Sequence, residues 1–402
     1  MGAVTTDVLE YPFVQENGLE VDPIYRRLQR NGPVRVQMAY GGPCWLATSY
    51  EDVRTVHVDR RFSKAAGIGR DIPRREGMLS TDPSLLANLD PPEHTRLRKL
   101  ASGAFSPARM RDLRGWVAGL VDELLDAMIE QGAPGDFYEA VARGVPNAVV
   151  TGILGVPRDE VPLFRGWIDR MLALNTSLED RAQAQSQLAA YVVGLVADRR
   201  RHPTDDLLSV LVHARDQDDR LTEQELVMLC VSLFLGGFET TVSQLSSSVY
   251  VLLSQRRLWE ELLGDPDMMA NALEELWRWI PSHRYGKPLI RWAVEDVELS
   301  EGVVIRAGEA VLPERPVANR DESVFPHGWE LDFRRVDPKP HLALGFGSHH
   351  CMGANLAHLE IQVTLQRLLA RLPTLELAVP AAEVGWSRVS FMRSVESLPV
   401  DW

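Results

Sequence analysis

Apolar residues recur along this chain first with period two and then, over most of its length, with the period of a helix. Val34-Arg-Val and Cys44-Trp-Leu-Ala-Thr read as strands, with Gly41-Gly-Pro between them as a hairpin signal. From about Pro107 to Ser254 the pattern is helical; between Arg111 and Glu130 the residues Leu113, Val117, Leu120, Val121, Leu124, Leu125 and Met128 share one face. Asp205-Asp-Leu-Leu-Ser-Val-Leu reads as another helix start. Thr222 with Glu225 has the spacing of a capping box, and Leu226 to Phe238 is apolar on nearly every side. Such a helix belongs in the middle of the molecule, and its pattern continues to about Val251. A further helix, Ala270 to Trp279, stops at Ile280-Pro281. Short strands follow around Val297 to Ile305 and Ala310 to Leu312, then a last helix from Ala354 to Leu372 and strand-like segments at the end. The expected architecture is mainly α with small β-sheets.

Length and charge narrow the classes. No linker, charge block or repeat divides the 402 residues, so the expectation is a single domain over 1–402. A net charge of −13 speaks against nucleic acid as a partner. Met1-Gly-Ala-Val-Thr-Thr-Asp lacks the basic and apolar regions of a signal peptide, and the run Leu226 to Phe238 is too short to span a bilayer. A cytoplasmic protein without a membrane segment is expected. The cysteines Cys44, Cys230 and Cys351 lie far apart and form no CxxC, which excludes a disulfide scaffold and covalent haem attachment.

The segment richest in chemistry is Gly345-Phe-Gly-Ser-His-His-Cys-Met-Gly, directly before a helix. A helix N-terminus favours a thiolate, and Gly345, Gly347 and Gly353 let the backbone approach a large flat ligand. A zinc site from His349, His350 and Cys351, or a plain buried cysteine, is the competing reading of these residues. The segment resembles the haem-binding loop of the cytochromes P-450, FxxGxxxCxG, with Gly347, Cys351 and Gly353 in place. That family is the known case of a cysteine thiolate that pushes electron density onto haem iron. Leu344 stands where the family usually has Phe.

Other segments fit the same resemblance. Gly236-Gly-Phe-Glu-Thr-Thr, inside the central helix, resembles the family's oxygen-binding kink, with Gly236 and Gly237 against the cofactor. The resemblance implies that Thr240 hydrogen-bonds dioxygen or its water and that Glu239 feeds protons. Glu275-Leu-Trp-Arg278 matches the family's ExxR, a structural pair. Its usual third partner, an arginine after Phe325-Pro326, is replaced by Glu330, with Arg334 and Arg335 just beyond. His94, Arg98, Arg291 and His349 fall where the family binds haem propionates, and an unpaired buried carboxylate would need such partners.

The likeness runs from Tyr11-Pro12-Phe13 to Trp402 and is closest to actinobacterial enzymes that tailor polyketides, macrolides or peptides. It implies a cytochrome P-450 fold with a long central helix over haem b and Cys351 as the iron ligand. The implied function is a monooxygenase that hydroxylates or epoxidises a bulky substrate. Electrons would come from NAD(P)H through a separate ferredoxin and ferredoxin reductase, and the protein would be a monomer. Within the fold, the alternatives are an unusual oxidation (aryl coupling, peroxide-driven chemistry) and a haem sensor without turnover. Ser232, Leu235 and Met392 are expected at the substrate, together with Arg284 and Lys287 in the polar stretch before Arg291. Those two bases favour a substrate with an acidic or oxygen-rich portion.

Overall fold

The computed structural model describes residues 8–13, 18–74, 82–216, 220–283, 289–336 and 340–402. The chain packs as two compact units. The first comprises Met1–Pro83, Ala87–Pro92 and Glu274–Cys351; the second comprises Ser84–Leu86, Glu93–Leu273 and Met352–Trp402. Mainly helical architecture with small sheets matches the expectation.

The first unit is built on a six-stranded sheet. Val34–Gln37 and Pro43–Ala47 form the expected antiparallel hairpin. Pro43–Ala47 then pairs in parallel with Ala310–Pro313, which pairs antiparallel with Arg291–Ala293. Side chains alternate across these strands, and both faces are covered. Leu46, Ala310 and Leu312 join Tyr25, Leu28 and Val36 in one core, while Ala47, Val311 and Ala293 join Tyr50, Val53 and Phe325 in the other. The register sets Arg291 opposite Val311, inside the sheet and 3% exposed.

The second unit is helical. Pro107–Gln131 opens with Ser106 accepting from the Arg109 amide and has proline in its first turn. It buries Val117, Leu120, Val121, Leu125 and Met128 and packs on Ala354–Arg371. The capping box at Thr222 is present: the Thr222 hydroxyl accepts from the Glu225 amide at 3.2 Å, and the Glu225 carboxylate from the Thr222 amide at 2.7 Å.

The expected long helix is not continuous. It runs Glu223–Gly237, breaks at Phe238 (φ −74°, ψ −82°) and resumes as Glu239–Ser254. Taken together, Glu223–Ser254 is long and apolar enough to cross a membrane, more than the run to Phe238 implied. However, 67% of its most apolar window is buried inside the protein, as a core helix requires.

The ExxR pair lies in the first unit, and its third partner is Arg335. Arg278 bonds both oxygens of Glu275 at 2.7 Å, and it donates to the carbonyls of Asn319, Gly328 and Glu330. Arg335 Nε donates to Glu275 at 3.1 Å, and its Nη groups donate to the carbonyls of Pro326, His327 and Glu330. Glu330 therefore contributes backbone, not charge. All three charged side chains are under 10% exposed, Arg335 at 7% and Glu275 at 3%. Removing a charged donor from such a set costs about 1.5–3 kcal/mol, and stranding the buried carboxylate about 3–5 kcal/mol. Arg335→Met is therefore expected to lower stability by about 1.5–3 kcal/mol and Arg278→Met by about 3–5 kcal/mol. Urea unfolding followed by far-ultraviolet circular dichroism checks both the size and the order.

Candidate active site

The cysteine loop leaves the first unit's core at Leu342, whose amide donates to Asn319 Oδ1 at 2.6 Å. The Gly345 amide closes a turn onto the Leu342 carbonyl, and the Cys351 amide donates to the Leu344 carbonyl at 2.7 Å. Leu344 thus pins Cys351 through its backbone, which any residue there could do. Gly345 has φ +76°, and a Cβ on it would meet the His349 carbonyl at 3.1 Å and Arg315 Nη1 at 3.3 Å. Gly353 is the N-cap of the helix Ala354–Arg371. Cys351 is exposed, whereas burial pushes the thiols of Cys44 and Cys230 up to about 12. Of the three cysteines, Cys351 is the one whose sulfur can reach a ligand.

Around this loop the first unit gathers buried positive charge. Arg291 and Arg315 are 3% and 7% exposed, and the Nε of each has no hydrogen-bond partner among the described residues. Neither ring nitrogen of His57, itself 7% exposed, has one either. Burial, then Arg315, Arg291, Lys64 and His349, hold His57 well below the usual imidazole range. Burial lowers both arginines to about 10; Asp90 opposes this at Arg291, and Glu314 and Cys351 oppose it at Arg315. Those carboxylates are already engaged. Asp90 takes Ser63 Oγ and the amides of Lys64 and Ala65, and Glu314 takes the Tyr11 hydroxyl at 2.7 Å. Unpaired guanidinium groups cost free energy where water is excluded. A flat ligand carrying two carboxylates fits this donor set, and haem is such a ligand.

The first unit therefore brings together Arg291, Leu344, Gly345, His349 and Cys351 from the expected site. It adds Arg315, Lys64 and His57, which sequence reasoning missed. The available signal was Pro313-Glu-Arg-Pro, a charged pair immediately after an apolar strand. Among the described residues, no group of three or more His, Cys, Asp or Glu side chains is arranged to hold a metal ion, so His349, His350 and Cys351 do not form the set the zinc reading requires.

The second unit carries the kink residues. The Thr240 hydroxyl donates to the Gly236 carbonyl at 2.7 Å, just before the helix break. Gly237 abuts Val150, whose Cγ2 would lie 2.7 Å from an added Cβ, while a Cβ on Gly236 would meet nothing within 4 Å. The Glu239 carboxylate accepts from Ser390 Oγ at 3.2 Å. Burial pushes Glu239 up to about 7; Arg143 and Arg165 work against this, and Asp169 adds to it. Ser390 and Arg143 are remote from Glu239 in sequence, and no motif marks them.

The same unit holds the remaining expected residues. His94 is 2% exposed and Arg98 half-buried on the helix Glu93–Ala101. Ser232 donates to the Met228 carbonyl at 2.8 Å and accepts from the Leu86 amide, Leu235 is half-buried, and Met392 is 1% exposed. Arg284 and Lys287 lie outside the described residues.

Known proteins bear on this arrangement directly. The family model described as cytochrome P-450 matches residues 170–377. The mycinamicin IV hydroxylase/epoxidase of Micromonospora griseorubida is 42% identical over 98% of both chains. The nocardicin C N-oxygenase of Nocardia uniformis subsp. tsuyamanensis is 42% identical over 99% of both. Among solved structures, the LnmA cytochrome P-450 hydroxylase from the leinamycin pathway of Streptomyces atroolivaceus superposes with a TM-score of 0.91. It is 41% identical, with 98% of this chain and 100% of that one covered. With a thiol-bearing glycine loop, a broken central helix and near full-length relatives of this kind, the chain belongs to the cytochrome P-450 family.

Proposed function

We propose that this chain is a haem-thiolate monooxygenase of natural-product biosynthesis, in which Cys351 would ligate the haem iron and Arg291 and His349 would bind the haem carboxylates. His94 and Arg98 are assigned to the same cofactor from the resemblance. The observation that carries this reading is the pair of buried arginines beside the cysteine loop, Arg291 and Arg315, whose Nε atoms have no hydrogen-bond partner among the described residues while the carboxylates near them, Asp90 and Glu314, are bonded to other groups. When bound, haem supplies the activation of dioxygen. The protein's own part is to hold the thiolate, exclude water and deliver protons.

Proton delivery falls to Glu239 and Thr240. With a carboxyl poised at about 7, Glu239 is suited to exchange a proton near neutral pH. Thr240 Oγ1, which now donates to the Gly236 carbonyl, offers lone pairs to accept a proton and a hydrogen to pass on. Both sit at the loosened turn, where the helix ladder does not occupy all their bonding capacity.

The relatives act on a macrolide (mycinamicin IV) and on nocardicin C, so the substrate assigned here is a bulky, oxygen-rich natural product. Ser232, Leu235 and Met392 are proposed contacts, with Arg284 and Lys287 as candidates for an acidic portion. Electrons are assigned to NAD(P)H through ferredoxin and its reductase, and the protein is taken as a cytoplasmic, monomeric, single haem domain.

Three outcomes test these roles. Reduced protein with carbon monoxide is expected to show the strongly red-shifted Soret band of thiolate ligation, and Cys351→Ser to lose that band; retention of it at full haem loading sinks the ligand assignment. Thr240→Ala is expected to load haem normally yet form less product per NADPH consumed, whereas equal coupling counts against the role. For Glu239, the neutral donor is present below about 7 and lost above it. Product formation should therefore fall as pH rises through 7, and Glu239→Gln should be about 100-fold slower with that limb flattened. A wild-type pH limb that persists in Glu239→Gln refutes the assignment.

A further inference from the structure

Arg315 follows the buried strand Ala310–Pro313 by two residues and opens the short helix Arg315–Ala318. Three observations fix its surroundings, all within the first unit. It is 7% exposed with its Nε unpartnered among the described residues. Its Nη1 stands 3.3 Å from the Cβ position of Gly345, in the cysteine loop. It is also near enough to His57, Lys64 and His283 to disfavour their protonation, and near enough to Cys351 to be favoured by a thiolate. The adjacent carboxylate, Glu314, accepts from Tyr11 at 2.7 Å, so it does not fully answer the guanidinium.

Among the described residues, no acceptor bonds the Arg315 Nε, and the carboxylate beside it is engaged by Tyr11. We infer that Arg315 is a haem-binding residue of this chain, pairing with a haem carboxylate alongside Arg291 and raising the reduction potential of the iron through its charge beside Cys351. The inference rests on the proposed role of Cys351 as the iron ligand. The physical ground for the second half is that the ferrous state carries one more electron than the ferric, so a nearby fixed cation in a water-poor site favours it. The first half follows from guanidinium geometry, whose fork matches a carboxylate with two parallel N–H bonds.

The test compares wild type, Arg315→Leu and Arg315→Lys as purified holoproteins, with haem transfer to apomyoglobin and the ferric/ferrous midpoint potential as readouts. Losing a charge-assisted contact of this kind corresponds to haem loss roughly tenfold faster in Arg315→Leu. The midpoint is expected to move negative in the same variant. Arg315→Lys should recover the potential, because the charge returns, but only part of the haem retention, because the fork does not. An Arg315→Leu protein that releases haem at the wild-type rate, or whose potential is unmoved, overturns the inference. If Arg315→Leu fails to assemble, Arg315→Gln keeps N–H donors without charge, and the same two outcomes decide. The ligand assignment is judged separately, by the carbon-monoxide band of the wild type.

Discussion

The structure turns on positive charge enclosed beside carboxylates whose hydrogen bonds go elsewhere. In the first unit, Val311 fixes the problem: it lies opposite Arg291 in the sheet, and Arg315 follows four residues later on the same strand's exit. Arg291 lies on the strand paired with Ala310–Pro313 and Arg315 follows that strand, whose Ala310, Val311 and Leu312 are all under 5% exposed. Moving that strand outward would expose the two cores it separates, so the sheet holds the cations in place against their desolvation penalty. A bound dianion that pairs only with the folded arrangement would return that penalty as stability. Retention of such a dianion and the stability of the sheet unit would then be thermodynamically linked.

The helical unit solves a different problem, that of keeping an acid at the edge of a dry interior. Two features break the helix at Phe238. Gly237 is pressed against Val150, and the segment beyond has its own packing on Ala354–Arg371. At the break, Glu239 is raised from an ordinary 4.5 to about 7 by burial, with Arg143 moderating the shift. The sign has a consequence for stability. A carboxyl that stays protonated longer when folded contributes stability that is whole below 4.5 and is lost as pH rises through about 7. Poising a buried carboxyl near neutrality thus weakens the fold in the pH range where it exchanges its proton.

Much of this was legible because local chemistry and global packing agree. The hairpin, the capping box at Thr222 and the helix after Cys351 each carry their own start or stop signal, and each formed where that signal lies. The break at Phe238 was foreshadowed by adjacent glycines but not its completeness, since an apolar pattern passes through a discontinuity unchanged. His57 and Ser390 were invisible for another reason. Their importance arises from meetings across long stretches of chain, such as Ser390 with Glu239, and no spacing rule encodes those.

Arg335 shows how such a meeting can absorb a departure in sequence. The position expected to carry the third charge holds Glu330, yet a guanidinium still reaches Glu275 from five residues further on. It can do so because the segment folds back: Arg335 Nη2 bonds the carbonyls of both His327 and Glu330, and the Asp332 amide donates to Glu275 at 3.0 Å. The same Glu330 carbonyl also accepts from Arg278 at 2.8 Å. What the fold requires is a second cation and a ring of carbonyls around one buried carboxylate, because an ionised Glu275 at 3% exposure must have its lone pairs filled. Several chain paths satisfy that requirement. A missing arginine at the usual spacing is then no sign of a missing triad, and the requirement itself, not the spacing, is what should be sought in a sequence.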